Sequence, residues 1–308
     1  MPAPSASSLG ASAVASDAVT LPARTRQLLG DYLELTKPKV QTLLLFTTVT
    51  TMEVAGSPPV SRIALTCLGG YLSAGGAGAV NHYYDRDIDA QMKRTATRPI
   101  PAGRVAPRSA LAFGIALAAL SFLLLCTTVN LLAASLALSG FLGYVGVYTV
   151  WLKRRTPQNI VIGGAAGAIP PLVGWAAARG SVSWTAVYLF AIVFYWTPPH
   201  FWSLSLLMKD EYEKVAVPMM PVARGERETR RQILLYTLLL YAISQLPFCA
   251  GAFGGLYLVA SMLLGLAFIS GAVILYRRAD RRTALRLYLF SLAYLALLFG
   301  AMVLDVKL

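Results

Sequence analysis

From Val40 onward the chain alternates long apolar runs with shorter polar stretches. Nine of these runs approach the roughly 20 residues needed to cross ~30 Å of hydrocarbon. They cover Val40 to Ala55, Ile63 to Tyr83, Ala110 to Thr128, Leu131 to Leu152, Ile160 to Ala178, Trp184 to Leu207, Ile233 to Ala250, Leu256 to Tyr276 and Leu285 to Val303. A bilayer core offers no water to unpaired backbone groups, so each run must be helical. The pattern predicts an all-α integral membrane protein of about nine transmembrane helices.

The connections alternate in character. On one side they are short, such as SPPVSR after the first run and GAFGG after the seventh. On the other, two long loops stand out, Tyr84 to Ser109 and Met208 to Gln232, each opening with a cluster of acids.

Composition agrees, with 56% hydrophobic and 13% charged residues and a mean hydropathy of +0.61 over 308 residues. The net charge of +13 would suggest nucleic acid in a soluble chain, but its placement changes the reading. With sides alternating after every run, 24 of the 27 Lys and Arg fall on the side of the long loops, leaving only Arg62, Arg179 and Lys307 opposite. That is the positive-inside pattern. It predicts a multi-pass protein of a bacterial plasma (inner) membrane, with a cytoplasmic N-terminus, the lipid bilayer as partner and no nucleic acid. Residues 1–34 are Ala/Ser/Pro-rich at first, with no secretory apolar core, and are expected to be a disordered cytoplasmic tail before one transmembrane domain over 35–308. Cys67, Cys126 and Cys249 each sit alone in or at the end of an apolar run and are expected to be small buried hydrophobes.

Six of the chain's 14 acids open the two long loops: Asp85, Asp87 and Asp89 in one, Asp210, Glu211 and Glu213 in the other. If the second helix continues past Tyr83, then Asn81, Asp85 and Asp89, at i, i+4 and i+8, form one stripe at the membrane boundary. Such oxygen donors suit Mg²⁺, which completes its shell with water and phosphate oxygens. A charge-mixed helix end, with these acids paired to Arg86 and Lys93, is the alternative. Lys93, Arg94, Arg98 and Arg104 follow the stripe, and LKRRTPQN adds Lys153, Arg154 and Arg155, with Asn159 opening the fifth helix. Each cation alone serves topology. Around one lipid-facing mouth they would form, with the acids, a site for a metal and a phosphate ester bearing an apolar tail.

The stretch NHYYDRDID, with its NxxxDxxxD pattern, resembles the intramembrane prenyltransferases related to 4-hydroxybenzoate polyprenyltransferase, a nine-helix all-α family. LTKPKV, YTVWLKRRTPQNIVIGGAAGAIPPLVGW, YWTPPHFWSLSLLMKDEY and VPMMPV resemble the branch of that family that farnesylates protoheme. The resemblance implies farnesyl diphosphate as donor, a vinyl group of protoheme (heme B) as acceptor with addition of water, and Mg²⁺ as cofactor. It implies Asn81, Asp85, Asp89 and Asp210 as metal-binding and catalytic residues; Lys93, Arg94, Arg98, Lys153, Arg154, Tyr148, Asn159 and His200 would contact the substrates. Heme A synthase or terminal-oxidase assembly factors are the protein partners it suggests. The family's second DxxxD motif is incomplete, since Lys214 stands four residues after Asp210. Tyr144, Tyr148, Tyr195 and Trp196 are candidates to line an allylic cation's path. His200, in a helix expected to kink at Pro198 and Pro199, would ligate heme iron, bond a propionate or satisfy a freed carbonyl. His82 is the weaker candidate for heme. An aromatic acid or quinone precursor is the runner-up acceptor, and a cation transporter would instead place acids near the midplane of several helices.

Overall fold

The structure, a computed structural model, describes residues 21–308, and among these there is no β-strand. Helix α1 covers Leu21–Leu35, followed by α2 (Pro38–Ala55), α3 (Val60–Asp89) and α4 (Pro107–Thr128). Helix α5 (Leu131–Leu142) runs on as a π-helix over Gly143–Leu152. Then come α6 (Asn159–Gly167), α7 (Ile169–Arg179) and α8 (Trp184–Leu207), two short helices α9 (Lys209–Lys214) and α10 (Met220–Ala223), and finally α11 (Gly225–Cys249), α12 (Gly255–Arg278) and α13 (Arg281–Lys307). Counting α5 with its π-helix and α6 with α7 as single rods gives nine long rods among the described residues, at the positions of the nine apolar runs. Seven of them are long and apolar enough to span a bilayer. The other two, α2 and α8, are diluted by Thr47, Thr48, Thr50 and Thr51 and by tryptophans, tyrosines and prolines.

The departures from the sequence pattern concentrate at helix ends. Residues 21–35 form a helix where a disordered tail was expected; the first twenty residues of that tail lie outside the described ones. Leu35 of α1 is fully buried, Tyr32 meets Phe113 edge-on at 4.9 Å and Asp31 pairs with Arg104 at 2.7 Å. Leu28, Leu29 and Leu33 remain exposed, as suits a helix lying along the membrane interface. The fifth rod breaks at Ala168, where Pro170 and Pro171 open α7; a proline tolerates the first turn of a helix but removes a donor from its interior. Helix α8 runs without interruption past Pro198 and Pro199. The second long loop is largely helical, forming α9, α10 and the first two turns of α11. Cys249 is exposed, unlike the half-buried Cys67 and Cys126.

Helix α3 is the longest, and its interface with α4 is the most extensive in the fold. Small residues let the two backbones approach: a Cβ on Gly76 would sit 2.6 Å from the Gly114 carbonyl oxygen, and one on Gly114 would sit 2.8 Å from that of Gly76. In lipid such close packing, with interhelical hydrogen bonds such as Ser121 Oγ to the Gly69 carbonyl at 2.7 Å, replaces the hydrophobic drive between helices. At the end of the bundle away from the long loops, polar groups are consumed by one another. Glu53 pairs with Lys307 at 3.0 Å, Asp305 accepts from the Gly254 and Tyr257 amides, and Arg179 donates to the Ala55 carbonyl. Among the described residues, most of the buried polar atoms without a partner lie toward the opposite end, with Thr51 Oγ1 an exception.

Gly76→Ala should destabilise the bundle by roughly 1–3 kcal/mol through overpacking, while Gly146→Ala, where an added Cβ meets nothing within 4 Å, should not. Thermal unfolding in detergent checks this pair, and equal melting points would place the α3–α4 contact elsewhere.

Candidate functional site

The helix of α3 does continue past Tyr83 to Asp89. Its last turns carry Asn81, Asp85 and Asp89 on one buried stripe, only 3%, 1% and 3% exposed, while Asp87, off that stripe, is exposed. Buried carboxylates need partners, because an unpaired charge out of water costs several kcal/mol. Here the partners come from three other parts of the chain.

Asp85 Oδ2 accepts 2.7 Å from Asn81 Nδ2 and also from Lys153 Nζ. Asp89 Oδ2 accepts from Arg98 at 2.6 Å. Asn81 Oδ1 accepts from Lys37 Nζ at 2.5 Å, and its amide donates to Thr149 Oγ1 at 3.2 Å. Arg154 grips exposed Asp87 with two hydrogen bonds of 2.6 and 2.7 Å, and that contact pushes its pKa up. Its guanidinium stays 3.9 Å from Asp85 Oδ1, which is buried with no hydrogen-bond partner.

Local structure explains how these groups converge. Lys37 lies between α1 and α2 in the left-handed conformation, φ 53°, ahead of Pro38, and the turn aims it at Asn81. Burial, then the charges of Arg98 and Lys153, lowers its pKa to about 7, although Asp85 and Asp89 pull the other way. The π-helix Gly143–Leu152 widens the backbone, a feature frequent at functional sites. It brings Thr149 to Asn81 and delivers Lys153 at its end. Asn159 Nδ2 holds the Lys153 carbonyl at 3.2 Å, leaving its own Oδ1 buried and unpartnered. Tyr144 and Tyr148 lie side by side, 5.3 Å between rings, with Lys37 Nζ 5.9 Å from the Tyr144 centroid. A Cβ on Gly163 would come within 2.5 Å of the Tyr148 ring, so only glycine leaves that ring its place.

Of the expected site residues, the structure therefore unites Asn81, Asp85, Asp89, Arg98, Lys153 and Arg154, with Asn159 behind Lys153 and Tyr148 beside Tyr144. Lys93 and Arg94 are exposed. Asp210 is not among the united residues. It lines a separate cleft with Lys209, Glu226, Arg230, Asp280 and Arg281, because the first turn of α9 faces α11 and α13 there. Its neighbour Glu211 instead has a buried carboxylate oxygen without a partner. Among the described residues no three His, Cys, Asp or Glu side chains cluster tightly enough to hold a metal by themselves. The stripe fits Mg²⁺ nonetheless, through hard oxygens, an orphaned Asp85 Oδ1 and an ion that keeps water and phosphate in its shell. His200 lies elsewhere, stacked on Trp196 at 4.3 Å and Tyr288 at 4.8 Å, its Nδ1 2.7 Å from Ser291 Oγ in the α8–α13 contact. Trp196 donates to the Ser291 carbonyl at 2.7 Å in the same contact. Lys37 and Thr149 are the residues sequence reasoning missed; LTKPKV was singled out, but nothing local says that its lysine meets Asn81.

A membrane-embedded helical bundle with an acidic stripe under a basic rim defines a class, and the comparisons agree. The UbiA prenyltransferase family matches residues 43–298, and the chain belongs to that family. Within it, the chain is 55% identical over 284 residues to a protoheme IX farnesyltransferase of Symbiobacterium thermophilum, covering 91% of this chain and 95% of that one. It is 55% identical over 277 residues to one of Thermus thermophilus (89% and 46%) and 52% over 282 residues to one of Chloroflexus aurantiacus (91% and 48%). The chain thus spans about half the length of the Thermus and Chloroflexus relatives. The fold is shared with a digeranylgeranylglyceryl phosphate synthase structure, with TM-score 0.76, 20% identity, 92% of this chain and 100% of that one. It is also shared with a UbiA homolog from Archaeoglobus fulgidus bound to DMAPP and Mg²⁺, with TM-score 0.62, 15% identity, 88% and 99%.

Lys153→Met should destabilise the protein by roughly 3–5 kcal/mol, because it strands Asp85 in the interior; Lys153→Met with Asp85→Asn should recover most of that. Arg154→Met, which breaks an exposed pair, should cost under about 1 kcal/mol. Unfolding measurements on the three variants check the ordering.

Proposed function

We propose that this protein transfers a farnesyl group from farnesyl diphosphate to a vinyl group of protoheme, with addition of water, releasing diphosphate. The observation that carries the reading is Asp85, a carboxylate 1% exposed with one oxygen unpartnered, in a stripe ringed by cations at one end of a UbiA-family bundle. Family membership supports prenyl transfer, and the names of the relatives support the acceptor.

Diphosphate leaves an allylic carbon only when its developing charge is neutralised. Asp85 and Asp89, with Asn81, would hold Mg²⁺, and Asp210 and Glu211, whose buried Oε2 has no partner, are the acids of the second loop to test beside them. Bound Mg²⁺ would supply charge neutralisation to the leaving group. Lys37, Arg98 and Lys153, which hold the stripe's oxygens in this structure, carry the donors that phosphate oxygens require, and Arg154 stands at the mouth. The Tyr144 and Tyr148 ring faces would stabilise the positive charge left on the prenyl carbon. The vinyl carbon then forms the new carbon–carbon bond, water adds to the neighbouring carbon and one proton departs. His200, already bonded to Ser291 between two rings, would shape the pocket wall rather than ligate iron. The positive-inside asymmetry supports a site at the cytoplasmic face of a bacterial plasma membrane.

Asp85→Asn and Asp89→Asn should each lower turnover by on the order of 100-fold or more while the protein still inserts and folds. Assays with farnesyl diphosphate should give a prenylated product from protoheme and none from 4-hydroxybenzoate; the reverse would move the chain to the aromatic-acid branch. Ala102→Cys and Lys214→Cys, in a background without native thiols, should react with an impermeant maleimide only from the cytoplasmic side.

A further inference from the structure

His82 has no task in this account, yet it is among the least satisfied polar groups in the molecule. It is 2% exposed, and both of its ring nitrogens are buried without a hydrogen-bond partner. His200, the other histidine, is bonded and stacked between two rings. Burying an imidazole with neither nitrogen paired costs free energy twice over, once for the N–H and once for the ring acceptor. A fold tolerates this where a ligand or water meets those atoms.

Its surroundings identify the kind of ligand. His82 follows Asn81 and precedes Asp85 by three residues, so it lies in the same buried turns of α3 as the stripe. Lys37, Arg98 and Lys153 are all near enough to act on the ring electrostatically. These are the three cations that hold Asn81, Asp89 and Asp85, respectively. A group within electrostatic reach of three cations is placed to meet an anion, and either tautomer of neutral imidazole offers one N–H donor. Aliphatic substrate atoms would leave both nitrogens unpaired, and a cation would add to the repulsion.

We infer that His82 is a positioning residue for the diphosphate, donating a hydrogen bond from its ring N–H to a phosphate oxygen beside the three cations. The inference rests on the prenyl-transfer reading and adds a neutral donor beside the charged groups of the site. Lys37, Arg98 and Lys153 neutralise the diphosphate; a fixed ring donor restricts its orientation. No covalent step or proton transfer is assigned to the ring.

The test is inorganic diphosphate itself, with Mg²⁺, titrated calorimetrically into the purified full chain and its His82→Leu and His82→Gln variants. A hydrogen bond to a charged group contributes about 1.5–3 kcal/mol, so His82→Leu should weaken diphosphate binding by roughly 10- to 100-fold. His82→Gln, which keeps an N–H donor, should recover most of it. In turnover, KM for the prenyl diphosphate should rise in the leucine variant while KM for the acceptor stays within about twofold. A leucine variant that folds and binds diphosphate as tightly as the parent would overturn the inference and leave prenyl transfer standing. So would a change confined to the acceptor KM. Should the leucine variant not fold, the glutamine variant decides: near-parental affinity supports a donor role, and a loss of 10-fold or more with unchanged melting contradicts it. A parent with no affinity for diphosphate would instead overturn the prenyl-transfer reading and this inference together.

Discussion

The structure depends on keeping two carboxylates dry. Asp85 and Asp89 are nearly inaccessible at the end of a helix that otherwise crosses hydrocarbon, and the electrostatic cost of that position sets the arrangement around them. Lys37, Arg98 and Lys153 come from the α1–α2 turn, the first long loop and the end of the π-helix. No single segment could supply three cations at these angles. The fold brings remote pieces together because an unmatched charge at this depth would be more expensive than the chain entropy of ordering them.

The same constraint links stability to chemistry. The pairs that make the stripe tolerable also keep Asp85 Oδ2 and Asp89 Oδ2 occupied, so a metal must displace protein cations to reach those two atoms. Those cations are then freed close to where phosphate oxygens would lie. Metal and diphosphate are expected to bind as a unit, each removing the obstacle to the other. Asp85 Oδ1 is open beforehand. Away from this polar end, the bundle is closed by pairs such as Glu53 with Lys307, and apolar side chains make up a large part of the interior between, as a long prenyl chain would require.

Much of the scaffold was legible in the sequence because hydrocarbon thickness imposes a length on every span. The apolar runs coincide with the nine rods, and the i, i+4, i+8 spacing of Asn81, Asp85 and Asp89 foretold the one face they share. What escaped depends on tertiary contact. Residues 21–35 look like tail until Leu35, Tyr32 and Asp31 find partners on α3, α4 and the first loop. The Ile160 to Ala178 run reads as continuous, although Pro170 and Pro171 divide it. Asp210, which the family resemblance implies, and Glu211 differ by one position in sequence, but a helix of six residues turns them about 100° apart, and only the fold shows that Asp210 lines a separate cleft. His200 drew attention as a polar residue at membrane depth; Ser291, 91 positions away, satisfies it.

On one buried stripe, cations of the protein hold the oxygens that the metal would take, and those cations are then the donors that the diphosphate would take. Mn²⁺, used as a paramagnetic probe in place of Mg²⁺, tests it most directly through its affinity for the purified protein with and without inorganic diphosphate. The account predicts weak binding of Mn²⁺ alone and at least tenfold tighter binding once diphosphate is present, beyond what their complex in solution explains, with that gain lost in Asp85→Asn. Equal affinity in both conditions, or a gain that survives in Asp85→Asn, would contradict it.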